Sequence, residues 1–204
     1  MIISRKKNGF TLIELITVIA IILILMGLLF PAMSSVREAA KKVQARNDIM
    51  NIVTAVKAYY TEYGQYPVDS TVSNNNDTFF GGSNTNDLLF NVLRSGSSTI
   101  LNPRGIIFIE VPSVKTPSSP KSGIGTTTGA GQYYDPWGTP YLIVVDTNYD
   151  NLITNPYSAN AGSNSVSTGV IVWSLGKDKD GAKNSTGGGD KNTGTYADDI
   201  ISWQ

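Results

Sequence analysis

Cysteine and histidine are both absent from this sequence of 204 residues. Without cysteine, the chain can form neither a disulfide nor a thiolate metal site, and it has no thiol nucleophile. Without histidine, it lacks the commonest general base of enzymes and the usual ligand of zinc and iron. The remaining residues form no recognisable catalytic constellation, so we expect that the protein is not an enzyme.

Net charge is absent too, because 16 basic residues balance 16 acidic ones. The bulk charge therefore gives no indication of nucleic acid or of an acidic substrate as a partner. What the chain has instead is Gly, Asn, Ser and Thr in abundance, together with 10 Tyr and 3 Trp. This composition is typical of a loop-rich extracytoplasmic domain.

The N-terminal region contains one long apolar run, residues 10–30, preceded by basic residues 5–7. About 20 helical residues span a bilayer core, and the positive-inside rule places the basic residues in the cytoplasm. The apolar region of a removed signal peptide is shorter, and the small-x-small cleavage pattern is poorly formed at residues 31–35. We therefore expect a retained membrane anchor. Glu14 lies within it, at a cost of about 2.5–3.5 kcal/mol on insertion scales.

An amphipathic pattern continues beyond Pro31, a residue that ends or kinks soluble helices. Apolar and tyrosine side chains recur at steps of three and four residues, as on one face of a helix. They are Val36, Ala39, Ala40, Val43, Ile49, Ile52, Val53, Val56, Tyr59, Tyr60 and Tyr63. Gly64 is typical of a helix end. The sequence predicts one helix over residues 10–63, bent near Pro31, whose amphipathic half (residues 31–63) packs on a soluble head.

The head, residues 64–204, begins with a predicted polar loop at residues 68–87 and a short apolar element at residues 88–93. Three β-branched runs indicate strands, with turn-forming segments between them. The runs are residues 106–111, 141–146 and 170–174. Because a few strands cannot cover both faces of a sheet, the amphipathic helix is expected to cover one face. The predicted fold class is α+β, a long N-terminal helix packed on a small antiparallel β-sheet.

The junction KKNGFTLIEL, residues 6–15, resembles the class III leader of type IV pilins and of type II secretion pseudopilins. In that family, a membrane prepilin peptidase cuts after the glycine and methylates the new amino terminus. The resemblance implies a removed leader (residues 1–9), cleavage between Gly9 and Phe10, and N-methylation of Phe10. The alternative is an ordinary signal anchor that happens to contain Glu14.

Glu14 becomes the fifth residue of the mature chain under this resemblance. Cleavage creates a cationic amine on Phe10 at membrane depth, and a carboxylate of a neighbouring subunit would offset both desolvation costs. In the family, the corresponding Glu recruits and aligns subunits. Pro31 matches the helix-distorting proline of many pilins; a simple packing kink is the other interpretation, because transmembrane helices tolerate proline.

Three further segments resemble the major pseudopilin of type II secretion. Residues 55–67 (AVKAYYTEYGQYP) resemble its helix end, residues 135–141 (DPWGTPY) its Asp-Pro-Trp-Gly-x-Pro-Tyr segment, and residues 173–203 its calcium loop. Residues 68–130 have no recognised counterpart.

The acidic loop, residues 174–199, is where the resemblance implies a calcium site. Calcium takes six to eight oxygen ligands, which carboxylates and backbone carbonyls in a Gly- and Asn-rich loop supply. The candidate ligands are the carbonyl of Leu175 and the carboxylates of Asp178, Asp180, Asp198 and Asp199. The sequence Lys-Asp-Lys-Asp-Gly leaves open whether Asp178 or Asp180 is the matching residue. A solvated acidic loop without metal is the alternative.

A second acidic segment, residues 146–151 (DTNYDN), has Asp and Asn at the one-three-five spacing of an EF-hand loop. Its sixth position is Asn151 where an EF-hand needs Gly, and its twelfth is Tyr157 where it needs Glu. A hairpin or Asx turn is the better interpretation.

These features predict a structural subunit of a periplasmic pseudopilus that supports type II protein secretion. Its expected partners are further copies of itself, the prepilin peptidase, minor pseudopilins, the inner-membrane assembly platform and the membrane, and no nucleic acid is expected. Before assembly it would cross the inner membrane once, with its head in the periplasm. The alternatives are a type IV pilus subunit for adhesion, motility or DNA uptake, and a membrane-anchored binding or enzymatic domain.

Overall fold

The computed structural model describes residues 9–69, 76–82, 84–96, 100–127 and 129–204, apart from the side chains of Pro31 and Ala32. The predicted leader lies outside these residues except for Gly9. The backbone at Pro31 is helical, and the predicted kink there stays a prediction. The chain divides into two compact units, of which the first ends at Ala40 and the second comprises Lys41–Gln204.

Helix α1 (Leu12–Tyr63) begins in the first unit, where its apolar side chains are exposed on every side. Leu12 is 76% exposed and Leu28 is 72% exposed. A helix that is apolar all round is typical of a membrane span or of a buried core. By length and composition, α1 is able to cross a membrane.

The part of α1 that lies in the second unit packs on the head, as predicted. Its buried stripe follows steps of four and three through Ala45, Ile49, Ile52, Val56 and Tyr59, and the adjoining Val53 and Ala55 are buried as well. The helix ends at Gly64, whose φ of 67° is left-handed and whose N–H donates to the Tyr60 carbonyl at 2.8 Å. The predicted apolar face extends beyond the buried stripe, which begins only at Ala45. The residues of that predicted face that are exposed are Val36, Ala39, Ala40, Val43 and Tyr60.

The described residues form one further α-helix, α2 (Asp87–Leu93), and ten short strands. The strands are β1 (Thr78–Phe80), β2 (Gly123–Ile124), β3 (Tyr133–Tyr134), β4 (Leu142–Val145), β5 (Ile153–Thr154), β6 (Tyr157–Ala159), β7 (Ser165–Val166), β8 (Val170–Ser174), β9 (Gly188–Asp190) and β10 (Ile200–Ile201). A four-stranded sheet in the order β1-β4-β8-β10 forms the centre of the head, and its pairs are all antiparallel. The α+β fold class is confirmed.

Two of the three predicted strands are confirmed as β4 and β8, and the third is wrong. Residues 106–111 form no strand, because their backbone groups bond elsewhere. The Phe108 N–H donates to the Leu93 carbonyl at the end of α2, and the side chain of Asn102 bonds both the N–H and the C=O of Ile106. The expectation of a loop throughout residues 68–87 is also wrong, since β1 lies there.

Both faces of the central sheet are buried, which explains the unbroken apolar runs of β4 and β8. Ile143 and Val172 join the core that contains α1 and α2. Val144 and Trp173 point to the other face and join a second core beneath Tyr157 and Leu175. The acidic loop thus belongs to the layer that covers the face opposite α1.

Candidate functional site

The N-terminal end of α1 is closed by a reciprocal pair of side chains, Thr11 and Glu14. The N–H and Oγ1 of Thr11 donate to Glu14 Oε2 at 2.9 and 2.7 Å, and the Glu14 N–H donates to Thr11 Oγ1 at 3.3 Å. This is a capping box, which satisfies N–H groups that the first helical turn leaves free. Glu14 therefore has a partner in its own chain. The Thr-x-x-Glu spacing carried this signal, and the sequence analysis missed it.

The predicted cleavage position lies just outside the helix. Gly9 and Phe10 are exposed and precede the first helical residue, Leu12. A peptidase needs an accessible bond, and both residues are exposed. Cleavage itself stays a prediction.

The acidic loop is closed by Asp198. Its Oδ2 accepts from the N–H groups of Lys177 and Asp178 at 2.6 and 3.2 Å. Gly176 has a φ of 67°, and a Cβ there would lie 2.5 Å from the Asp198 carbonyl oxygen. The approach of the two loop ends therefore requires glycine at position 176.

Asp199 is the buried acid of this loop, with 4% of its surface exposed. Its Oδ2 accepts from the Tyr157 hydroxyl at 2.7 Å, while its Oδ1 has no hydrogen-bond donor among the described residues. Burial raises the pKa of Asp199 to about 7, although the hydrogen bond from Tyr157 and the charge of Lys191 oppose this. A buried carboxylate oxygen without a hydrogen-bond donor can take up a proton or bind a metal ion.

The structure brings the predicted calcium ligands into one loop but not into one group of carboxylates. Asp180 forms an ion pair with Lys183 at 2.6 Å, and its N–H donates to Asp178 Oδ1 at 2.9 Å. Within the described chain, a group of three carboxylates with oxygens less than 4.8 Å apart occurs elsewhere. Calcium binding by Leu175 and these aspartates stays a prediction.

That group of three is Asp77, Asp146 and Asp150, which we call the acidic triad. Asp146 and Asp150 belong to the turn after β4, where the predicted Asx turn is present: the Asp150 N–H donates to Asn148 Oδ1 at 3.1 Å. Burial and the two neighbouring carboxylates raise the pKa of Asp77 to about 6. The spacing of Asp146 and Asp150 was visible in the sequence. The contribution of Asp77 was not, because it depends on the pairing of β1 with β4.

Comparison with known protein families gives a match in the N-terminal region. Residues 4–30 match the family described as "Prokaryotic N-terminal methylation motif". The chain thus carries the signal of type IV pilin-like proteins, and the resemblance inferred from KKNGFTLIEL is confirmed.

The particular relatives are core proteins of type II secretion systems. "Type II secretion system core protein G" of Pseudomonas aeruginosa is 38% identical over 63 residues, which are 31% of this chain and 44% of the relative. The protein of that name from Aeromonas hydrophila is 35% identical over 64 residues, or 31% of this chain and 45% of the relative. The chain therefore spans less than half the length of these curated relatives. No solved structure matches it.

Proposed function

We propose that this chain is a structural subunit of a pseudopilus filament, which polymerises through α1 and supports type II protein secretion. One observation carries the proposal: the methylation motif at residues 4–30 coincides with the half of α1 whose apolar side chains are exposed all round. Such a surface is stable in a bilayer or against other copies of the same helix. The names of the relatives favour secretion over a surface pilus.

Glu14 is suited to match a charge on a neighbouring subunit. Both donors of Thr11 bond to Oε2. No described residue donates to Oε1, which is left for the Phe10 amine of another copy. The capping box would hold the carboxylate in one rotamer before the subunits meet, so less side-chain freedom is lost on assembly. Removal of the leader by a prepilin peptidase supplies the amine.

The acidic loop is proposed to hold Ca²⁺ and to order contacts between heads. The donor set consists of hard oxygen ligands, as calcium prefers, and the buried Oδ1 of Asp199 lacks a donor among the described residues. Leu175, Asp178 or Asp180, Asp198 and Asp199 would supply the ligands. The ion would neutralise carboxylates that otherwise repel one another.

The test compares Glu14→Ala with Glu14→Gln in cells that express each as their only copy. Gln also closes a capping box, but it carries no charge. If Glu14 matches the Phe10 amine, both variants are cleaved and methylated, while neither forms filaments and secreted proteins accumulate in the periplasm. N-terminal mass, sheared filaments and the extracellular proteome are measured.

Glu110→Gln is the matched control, since it removes an exposed carboxylate of the head. Normal filaments with Glu14→Gln would contradict charge matching and leave capping as the role of Glu14. An unmethylated, full-length N-terminus in the wild-type protein would contradict processing. Normal secretion in cells without the chain, with loss of surface pili, would assign it to a type IV pilus.

A further inference from the structure

The acidic triad points to a ligand site that the proposed function does not require. We propose that Asp77, Asp146 and Asp150 bind a divalent cation, Ca²⁺, independently of the acidic loop. The site joins two places far apart in sequence: the start of the edge strand β1 and the turn that follows β4.

The register of β1 and β4 places two of the carboxylates opposite each other. Thr78 pairs with Val145 in this antiparallel ladder, so the preceding Asp77 lies across from Asp146. The hydroxyl of Thr147 donates to the Asn76 carbonyl at 2.7 Å, which continues the register by one more residue. Like charges directly opposite each other destabilise a strand pair. The pairing persists here with the two acids at its end, an arrangement that a cation would stabilise.

The turn after β4 fixes the other carboxylate positions. The Asn151 N–H donates to Asp146 Oδ2 at 2.9 Å, and the Leu152 N–H donates to Asp150 Oδ1 at 2.8 Å. Tyr149 and Asn151 adopt left-handed φ values of 63° and 57°, which the Asx turn sustains. Asp146 therefore has one oxygen bonded to backbone. Asp150 has one oxygen bonded to backbone, and its Oδ2 accepts from the Asn148 side chain at 3.1 Å, so the orientation of both acids is set before any ligand binds.

The second observation is an unsatisfied buried oxygen within this group. Asp146 is only 2% exposed, yet its Oδ1 has no hydrogen-bond donor in the described chain, and the same is true of Asp77 Oδ1. No Lys or Arg of the described residues forms an ion pair with the triad; Arg104, for example, pairs with Glu62, and Lys183 pairs with Asp180. Buried carboxylate oxygens without a partner are rare, and a cation satisfies them.

A cleft gives a cation access to two members of the triad, Asp77 and Asp150. Its volume is about 270 Å³, and its lining also includes the oxygen-bearing residues Asn148, Ser185 and Thr186. The candidate metal ligands here are all oxygen atoms. Calcium accepts six to eight oxygens in irregular geometry, whereas magnesium demands a near-ideal octahedron, so the set favours calcium.

The test measures calcium binding by full-length protein in detergent, with calorimetry and metal analysis after dialysis. Asp150→Asn is the main variant, because Asp150 is exposed and its replacement leaves the Asn148 contact possible. It should lose one bound ion per chain, or raise the Kd of that ion about tenfold or more, because ligand charge sets affinity. Asp146→Asn should act in the same way.

Two controls make the result specific to the triad. Glu110→Gln removes one exposed carboxylate elsewhere and should bind as the wild type does. Asp198→Asn changes the acidic loop and should leave the triad ion bound. Equal calcium stoichiometry and affinity in the wild type and in Asp150→Asn and Asp146→Asn would overturn the proposal. In that case the triad shares protons and binds no metal. This outcome would leave the filament proposal intact.

Discussion

Asp48 is a half-buried acid on the part of α1 that packs on the head, and its environment pulls its titration in two directions. The hydroxyl of Tyr141 donates to Asp48 Oδ2 at 2.9 Å. Burial raises the pKa of Asp48, and hydrogen bonds from Tyr141 and Tyr133 oppose the rise. Because the net shift is upward, the folded protein holds this proton more tightly than the unfolded chain does.

Tyr141→Phe should raise the pKa of Asp48 further, since it removes a donor to the ionised form while leaving the residue buried. A raised folded pKa makes the contribution of Asp48 to stability fall as pH rises from the unfolded to the folded value. The variant should therefore widen the pH interval over which stability falls. Carboxyl NMR titration and melting temperature against pH would measure both effects.

Tyr60→Phe is the control for this change, because Tyr60 is 40% exposed on the same helix. It should leave the titration of Asp48 as it is in the wild type. An unshifted Asp48 in Tyr141→Phe would mean that the hydroxyl contact does not persist in solution.

At the scale of elements, the DPWGTPY segment forms a turn organised by one buried acid, Asp135. Its Oδ1 accepts from the N–H groups of Trp137, Gly138 and Thr139 at 2.9, 2.7 and 2.8 Å. Its Oδ2 accepts from the Ser174 hydroxyl at the end of β8, at 2.6 Å. Asp135 is fully buried, so the turn and β8 are joined through a carboxylate that water does not reach.

Asp135→Ala should destabilise the head by about 3 kcal/mol or more, because it leaves three backbone donors and one hydroxyl without an acceptor. For a protein of this size, that corresponds to a fall in melting temperature of roughly 6–12 °C. Asp135→Asn is the matched control, since its amide oxygen still accepts from the backbone N–H groups. It should lose less stability than Asp135→Ala does. Thermal unfolding of the three proteins in detergent measures the difference. Equal losses in both variants would refute the role given to the backbone contacts.

Sequence patterns predicted correctly the elements that have a clear periodicity or composition of their own. The stripe ending at Tyr59 and the runs of β4 and β8 carried their own periodicity or β-branched composition, and the structure confirms them. Residues 106–111 have the same composition without forming a strand, because the end of α2 and Asn102 take their hydrogen bonds. β1 is a short aromatic segment between polar residues, and it forms a strand because β4 pairs with it. The composition of a segment indicates its preference for the β conformation, whereas strand pairing depends on which segments lie next to it in the fold.

At the scale of the whole molecule, the N-terminal motif could be recognised from the sequence because its residues are contiguous. The two acidic sites could be predicted only in part. The match at residues 4–30 needs no tertiary structure. The acidic loop is contiguous too, yet its ion pair between Asp180 and Lys183 and the burial of Asp199 could not be read from spacing. The acidic triad required the sheet register, which only the folded head defines.

Two calcium sites would each stabilise the head through mass action. At a calcium concentration 100 times its Kd, one site contributes about 2.7 kcal/mol. The acidic triad and the acidic loop share no ligand, so their contributions are expected to add. Chelation should therefore lower the melting temperature of the wild-type protein by the sum of two separable responses.

Variants that disable one site each separate these responses. Asp150→Asn should keep the part of the chelation response that comes from the acidic loop, Asp198→Asn should keep the part from the triad, and the double variant should keep none. A full wild-type response in Asp198→Asn would assign all the calcium to the triad and contradict a metal in the loop. Melting curves that chelation leaves unchanged in the wild-type protein would contradict both sites. In the filament that we propose, the heads would then contact one another without calcium.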